Sequence, residues 1–139
     1  MSDMSHNHQK KIAVINDMSG FGRCSIAVEL PVISAMKVQC CPLPTSIFSN
    51  HTGFESFFFD DYTSKMNDYI ETYKKMNIDF DGICSGFLGS AKQIEIVKEF
   101  FKDFKTEKKS PAFYTAAKKI ESILSFIAVY AKDQDRKST

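Results

Sequence analysis

Three short apolar runs, KIAVIN (Lys11–Asn16), KVQCC (Lys37–Cys41) and FDGICS (Phe80–Ser85), alternate with segments of helical period. That alternation limits the chain to few folds. Short β-branched runs bounded by turn residues suit strands buried on both faces. Arg23–Met36 reads as a helix with Ile26, Leu30 and Ile33 on one face, and Pro31 predicts a kink by removing a hydrogen bond. Thr63–Met76 reads as a second helix, with Thr63 as N-cap and Met66, Tyr69, Ile70 and Tyr73 along one side. A third begins at Ser90, where S-x-x-Q forms a capping box before the stripe Ile94, Val97, Phe101 and Phe104. The pattern predicts an α/β fold with a mostly parallel sheet flanked by helices.

Between these elements the sequence predicts loops. Asp17–Gly22 (DMSGFG) has the composition of a turn, and Pro42 and Pro44 are expected to end the second strand. Thr45–Asp61 shows no clear period, and long irregular stretches in compact domains are often functional. Past Lys105 the texture changes. TEKKSP reads as a linker, and Tyr114–Lys132 follows an amphipathic helical pattern through Ile120, Ile123, Leu124 and Ile127. The expected organisation is a disordered tail over residues 1–10, one domain over 11–105, and a divergent helical tail over 106–139.

Charge and cysteine usage exclude several classes of partner. A net charge of +1 from 18 basic and 17 acidic residues gives no electrostatic reason to expect nucleic acid or an anionic membrane. Cys24, Cys40, Cys41 and Cys84 form no C-x-x-C pair and no zinc spacing, so no metal site is expected from them. Adjacent Cys40 and Cys41 read as small apolar residues of a strand in a reducing compartment. The polar start MSDMSHNHQKK has no apolar stretch, and no later segment approaches membrane-spanning length. A cytoplasmic protein is the expectation.

Three loops stand out as ligand candidates. In open α/β sheets ligands bind beyond the carboxyl ends of strands, which is where Asp17, Ser19, Gly20 and Gly22 would lie. An ordinary tight turn explains the same residues, and neither a full dinucleotide fingerprint nor a phosphate loop is present. FSNHTGF (Phe48–Phe54) sets His51 and Thr52 on a pliable loop, where a solvated turn is the plainer reading. SGFLGS (Ser85–Ser90) places Phe87 between a strand and a capped helix, either over a ligand or as an apolar plug. His6 and His8, the Asp60–Asp61 pair and the aromatics Phe57–Phe59 have plain readings as tail, acidic turn, and core or interface.

Taken in order, INDMSGFGRCS, CCPLPTSIFSNHTGF and DGICSGFLGSAKQ resemble the N-terminal half of pyridoxal and pyridoxamine kinases, in the variety found in low-GC Gram-positive bacteria. The match covers about Lys11 to Lys105. The resemblance implies a ribokinase-like fold and transfer of the ATP γ-phosphoryl group to the 5′-hydroxymethyl of a B6 vitamer. It implies ATP and Mg²⁺ as cofactors, and a homodimer among the partners. By motif position Asp17 stands where many such kinases carry a serine on the pyridine ring, His51 and Thr52 line the same ring, and Phe87 matches an aromatic near the substrate.

The family's D-P-V-M-G-D strand and G-T-G-D anion hole, whose aspartate takes the hydroxyl proton, have no counterpart in the sequence. Phosphoryl transfer depends on such positioned charge. The expectation is therefore a substrate-binding part without a catalytic residue or metal ligand, as in a truncated chain. A catalytically inactive ligand-binding or assembly fragment is the alternative. A small Rossmann-type oxidoreductase is a third reading, which the missing glycine fingerprint opposes.

Overall fold

The computed structural model describes residues 9–104. His6, His8 and the helix expected within 106–139 lie outside the described residues. The chain runs β1 (Lys11–Phe21), α1 (Ile26–Ala35), β2 (Gln39–Asn50), β3 (Phe59–Asp61), α2 (Thr63–Lys75), β4 (Gly82–Ser85) and α3 (Ala91–Asp103). The four strands form one sheet in the order β3-β2-β1-β4. β1 pairs in parallel with β2 and with β4, while β3 returns antiparallel to β2. The expected α/β sheet flanked by helices is present.

Two boundaries differ from the sequence reading, for one reason. Asp17–Gly22 is not a turn: β1 continues to Phe21 because β2 accompanies it, with Met18, Ser19 and Phe21 facing Ile47, Phe48 and Asn50. A register shift between Asn16 and Met18 absorbs one residue. Likewise Pro42 and Pro44 do not end β2. A strand residue directs its N–H and C=O to the same side, and the Pro42 carbonyl accepts hydrogen bonds from the Tyr69 and Tyr73 hydroxyls, each at 2.8 Å. The missing N–H therefore falls on an edge where no strand pairs, since β3 reaches only Ser46–Phe48. The irregular stretch expected over Thr45–Asp61 shrinks to the residues between β2 and β3.

Helix faces follow burial, with three corrections. In α1 only Ile26 is buried; Leu30 is exposed and Ile33 half-buried, so the expected apolar stripe does not form. Tyr62, not Thr63, precedes α2, and Asp61 holds its first turn by accepting from both the N–H (2.7 Å) and the hydroxyl of Thr63. In α3 the buried side is Gln93, Ile96, Val97, Phe100 and Phe104, a rotation from the stripe expected through Ile94 and Phe101. Phe80, Phe100 and Phe104 pack together with centroid separations of 4.4–5.9 Å, and Ala13–Ile15 and Leu43 of the sheet are fully buried.

Gln93 explains the rotation. Ser90 Oγ accepts from the Gln93 N–H at 3.2 Å, which is half of a capping box. The glutamine side chain does not reach back to Ser90. It accepts from the Gly89 N–H at 2.7 Å and donates to the Thr45 carbonyl at 2.8 Å and Thr63 Oγ1 at 2.9 Å. One fully buried amide thus joins β2, α2 and α3.

Gln93→Leu removes those bonds while keeping the volume filled, leaving the Gly89 N–H without its acceptor and the Thr45 carbonyl with only the Tyr62 N–H, at 3.1 Å. A loss of about 1–3 kcal/mol is expected from such an orphaned group, read as a lower urea midpoint at unchanged slope. Acid gives a second check. Hydrogen bonds from Thr63 hold the Asp61 carboxyl below the usual carboxylate range, and the Lys11 N–H (2.9 Å), then Lys10, do so for Asp81. Depressed folded values stabilise above the unfolded value of about 4 and lose that contribution as pH falls through the folded values. The stability gap between the chain and its Asp61→Asn/Asp81→Asn variant should therefore be present near neutrality and close in acid.

Candidate functional site

In three parallel strands that start at one edge, β1, β2 and β4 necessarily end at the other. Phe21, Asn50 and Ser85 end them, so the loops GRCS, HTGF and GFLG all emerge at that edge. The chain goes from β1 to β2 on one side, then to β4 on the other, so the strand order reverses between β1 and β4. Ligands of open α/β sheets sit at that kind of reversal.

Asn16, which sequence reasoning counted only as the last residue of an apolar run, occupies this point. Its side chain is buried; Oδ1 accepts from the Phe87 N–H at 2.9 Å and the Asp17 N–H at 3.0 Å, and Nδ2 donates to Glu29 at 3.0 Å. The Phe87 carbonyl in turn accepts from Thr45 Oγ1 at 2.9 Å. A polar Asn-Asp pair closing an apolar strand was the available signal for it.

Asp17 departs from expectation. It is 6% exposed, and its carboxylate accepts from Ser19 Oγ at 3.0 Å and Ser25 Oγ at 2.6 Å. It does not stand free at an open turn, because β1 extends beyond it to Phe21. Ser25 precedes α1 with φ 53° and ψ −140°, and its side chain serves Asp17 instead of capping the helix. Such backbone costs about 1–3 kcal/mol and persists where its surroundings enforce it; the short bond to Asp17 is one such restraint.

His51 and Thr52 are exposed on the loop after β2. The His51 backbone donates to the Phe21 carbonyl at 2.8 Å, and its Nδ1 accepts from the Gly53 N–H at 2.9 Å, so the neutral ring carries its proton on Nε2. Gly22, with φ +138°, lets the two loops approach: a Cβ there would fall 3.0 Å from that of His51. Phe87 is partly exposed, its ring edge-on to Phe48 at 5.9 Å. Phe48 also packs on Phe57 and Phe59.

The four expected residues therefore share one edge of the sheet but form two groups. Asp17 and Phe87 meet through Asn16, while His51 and Thr52 are tied to the end of β1. No hydrogen bond or ring contact joins the two groups directly among the described residues. Asp60 and Asp61 serve Lys65 (3.7 Å) and Thr63, and no group of three His, Cys, Asp or Glu among the described residues suits a metal ion. No helix among them is long and apolar enough to cross a membrane.

This sheet with its crossovers is a ribokinase-like kinase fold, present over part of its extent. Within that class the chain is similar to pyridoxal kinases and to a relative bearing the provisional name phosphomethylpyrimidine kinase, over their N-terminal part. The relative is from Bacteroides thetaiotaomicron and was crystallised with pyridoxal. It is 47% identical over 71% of this chain and 35% of its own, with a TM-score of 0.70. Pyridoxal kinase from Lactobacillus plantarum follows at 24% identity, over 67% of this chain and 34% of its own (TM-score 0.64). The likeness thus does not favour the Gram-positive representative. Pyridoxal kinase from Leishmania donovani, solved with ADP and pyridoxamine, shares the fold at 12% identity over 69% of this chain and 34% of its own (TM-score 0.66). The chain spans about a third of the length of these proteins. Neither a protein-family model nor a curated protein sequence matches it.

Gly86 is the position where this architecture leaves no room. A Cβ there would fall 2.2 Å from Asn16 Nδ2. Gly86→Ala is expected to force Asn16 off Phe87 and to cost about 1–3 kcal/mol as overpacking does, measured as a fall in thermal midpoint.

Proposed function

We propose that the described domain is the vitamer-binding part of a kinase that phosphorylates the 5′-hydroxymethyl group of pyridoxal, pyridoxamine or pyridoxine with ATP. One observation carries the reading: the loops bearing His51–Thr52 and Phe87 leave one edge of a parallel sheet, with Asp17 in β1 beside the end of β4, in a chain 47% identical to a protein crystallised with pyridoxal. A flat heteroaromatic ring suits what stands there. Phe87 offers a partly exposed aromatic face beside Phe48, and His51 offers a ring N–H.

ATP and Mg²⁺ belong to the reading through the resemblance. The described residues offer no carboxylate cluster for the metal, so no step is derived through it. What these residues do is bind and orient. Asp17 holds the GRCS turn, Asn16 holds Phe87, and the rings around Phe48 keep water from one side of the site.

A second reading follows from the Bacteroides relative's name. A phosphomethylpyrimidine is also a flat nitrogen heterocycle, and the same aromatic wall would accept its ring.

Calorimetric titration of the 139-residue chain separates these. Pyridoxine is expected to bind, with affinity lowered about tenfold by Phe87→Ala, equivalent to about 1.4 kcal/mol, and lowered also by His51→Ala. Preference for the phosphomethylpyrimidine would transfer the assignment to the second reading, and binding of neither would sink both. With ATP and Mg²⁺ added, no phosphorylated product is expected from this chain, whose sequence has no match to the G-T-G-D aspartate. General-base help alone is worth about 10²–10⁴ in rate.

A further inference from the structure

We infer that Asn16 is the positioning residue of the vitamer site: its buried amide, oriented by Glu29, sets where Phe87 stands without touching the ligand. This rests on the vitamer reading and extends it to a residue that neither the motif nor the relatives' names assign.

The donor–acceptor pattern fixes the amide in one orientation. Two backbone N–H groups, of Asp17 and Phe87, require an acceptor at 3.0 and 2.9 Å. Glu29 Oε2 at 3.0 Å requires a donor. An uncharged amide presents both from one planar group, whereas an ionised Asp or a Leu would leave at least one partner unmet. Asn16 lies 6% exposed, where an unmet partner cannot turn to water.

The place matters as much as the bonds. Asn16 sits between the ends of β1 and β4, where the strand order reverses, and Gly86 presses on it so closely that no side chain fits between. Phe87 follows immediately, held from the other side by Thr45 Oγ1 on its carbonyl. The Phe87 peptide is thereby pinned at both ends, and its partly exposed ring projects from a fixed backbone. A recognition ring held this way binds without first being ordered.

Exchanging the partners tests the inference. Asn16→Asp keeps the acceptor but replaces the amide donor with a carboxyl set against the Glu29 side chain. Pyridoxine affinity is expected to fall about tenfold or more. Adding Glu29→Gln restores a donor–acceptor pair with roles reversed, and should return affinity to within about threefold of the original chain. Asn16→Ala, which has no acceptor, should not be rescued by Glu29→Gln. A purely structural loss would follow the thermal midpoint and show no partner-specific rescue.

The Phe87 amide supplies a readout independent of ligand. Its proton resonance should move upfield and its exchange quicken in Asn16→Asp and Asn16→Ala, and recover in the double variant. If the unaltered chain binds no vitamer, the vitamer reading fails, while the Phe87 amide still judges the clamp. Full affinity in Asn16→Ala, or a Phe87 amide unchanged in it, would overturn the inference. So would a double variant no better than Asn16→Asp.

Discussion

β1 cannot stop where its apolar run stops. It carries β2 on one edge and β4 on the other, and its last residues must stay paired with β2 after β4 has ended at Ser85. The strand crosses from a two-sided to a one-sided ladder within a few residues, and that passage exposes polar backbone in the interior. The register shift between Asn16 and Met18, with its extra residue on β2, and the Asn16 amide meet this demand together: Asn16 and Asp17 are both buried, and their side chains satisfy N–H groups and hydroxyls that the ladder no longer serves. Buried polar groups are tolerable when every partner is met. The site loops depend on this joint, since GRCS is held through Asp17 and the Phe87 loop through Asn16.

A second joint, at Gln93, fixes the opposite layer. There too one buried amide links three segments distant in sequence, through Thr45, Thr63 and Gly89. Thr45 takes part in both: its carbonyl serves Gln93 and its hydroxyl serves the Phe87 carbonyl. The path from α3 to the candidate site therefore runs through a single, fully buried residue of β2. Apolar packing of Phe80, Phe100, Ile15 and Leu43 supplies most of the cohesion, because buried area dominates stability. The amides determine which registers that cohesion can adopt.

The sequence made the layer order legible because period is a local property: β-branched runs and helical stripes need no knowledge of partners. Strand lengths were not legible, because they depend on neighbours. Nothing in SGFGRC announces that β2 will accompany β1 to Phe21, and nothing in CPLPT announces that Pro42 faces an unpaired edge with its carbonyl toward two tyrosines. The same limit applies to the site. The residues matched by resemblance, Asp17, His51, Thr52 and Phe87, do lie at one edge of the sheet, but the burial of Asp17 and the role of Asn16 arise from contacts across 8 and 71 residues of sequence. Gln93 was legible as a capping residue but not as a buried link between three segments, because the capping box fixes its backbone and leaves its side chain free.

The aromatic loop after β2 behaves differently from the two clamped ones. Phe54, Phe57, Phe58 and Phe59 are all exposed, and the contacts their rings make are with Phe21 and Phe48. Its backbone is tied at the base by Ser49, Asn50 and His51, whose side chains bond within the loop itself. Local bonds of this kind fix a loop's shape more firmly than its place against the rest of the molecule. The clamped loops present Phe87 and the GRCS turn from fixed backbone, whereas His51 and Thr52 ride on a segment anchored chiefly at its own foot. A ligand that touches both groups gains affinity from the first without an ordering cost and must order the second as it binds. Under the proposed vitamer reading, that division puts recognition of the ring's flat face on Phe87 and leaves discrimination among ring substituents to the residues of the HTGF loop.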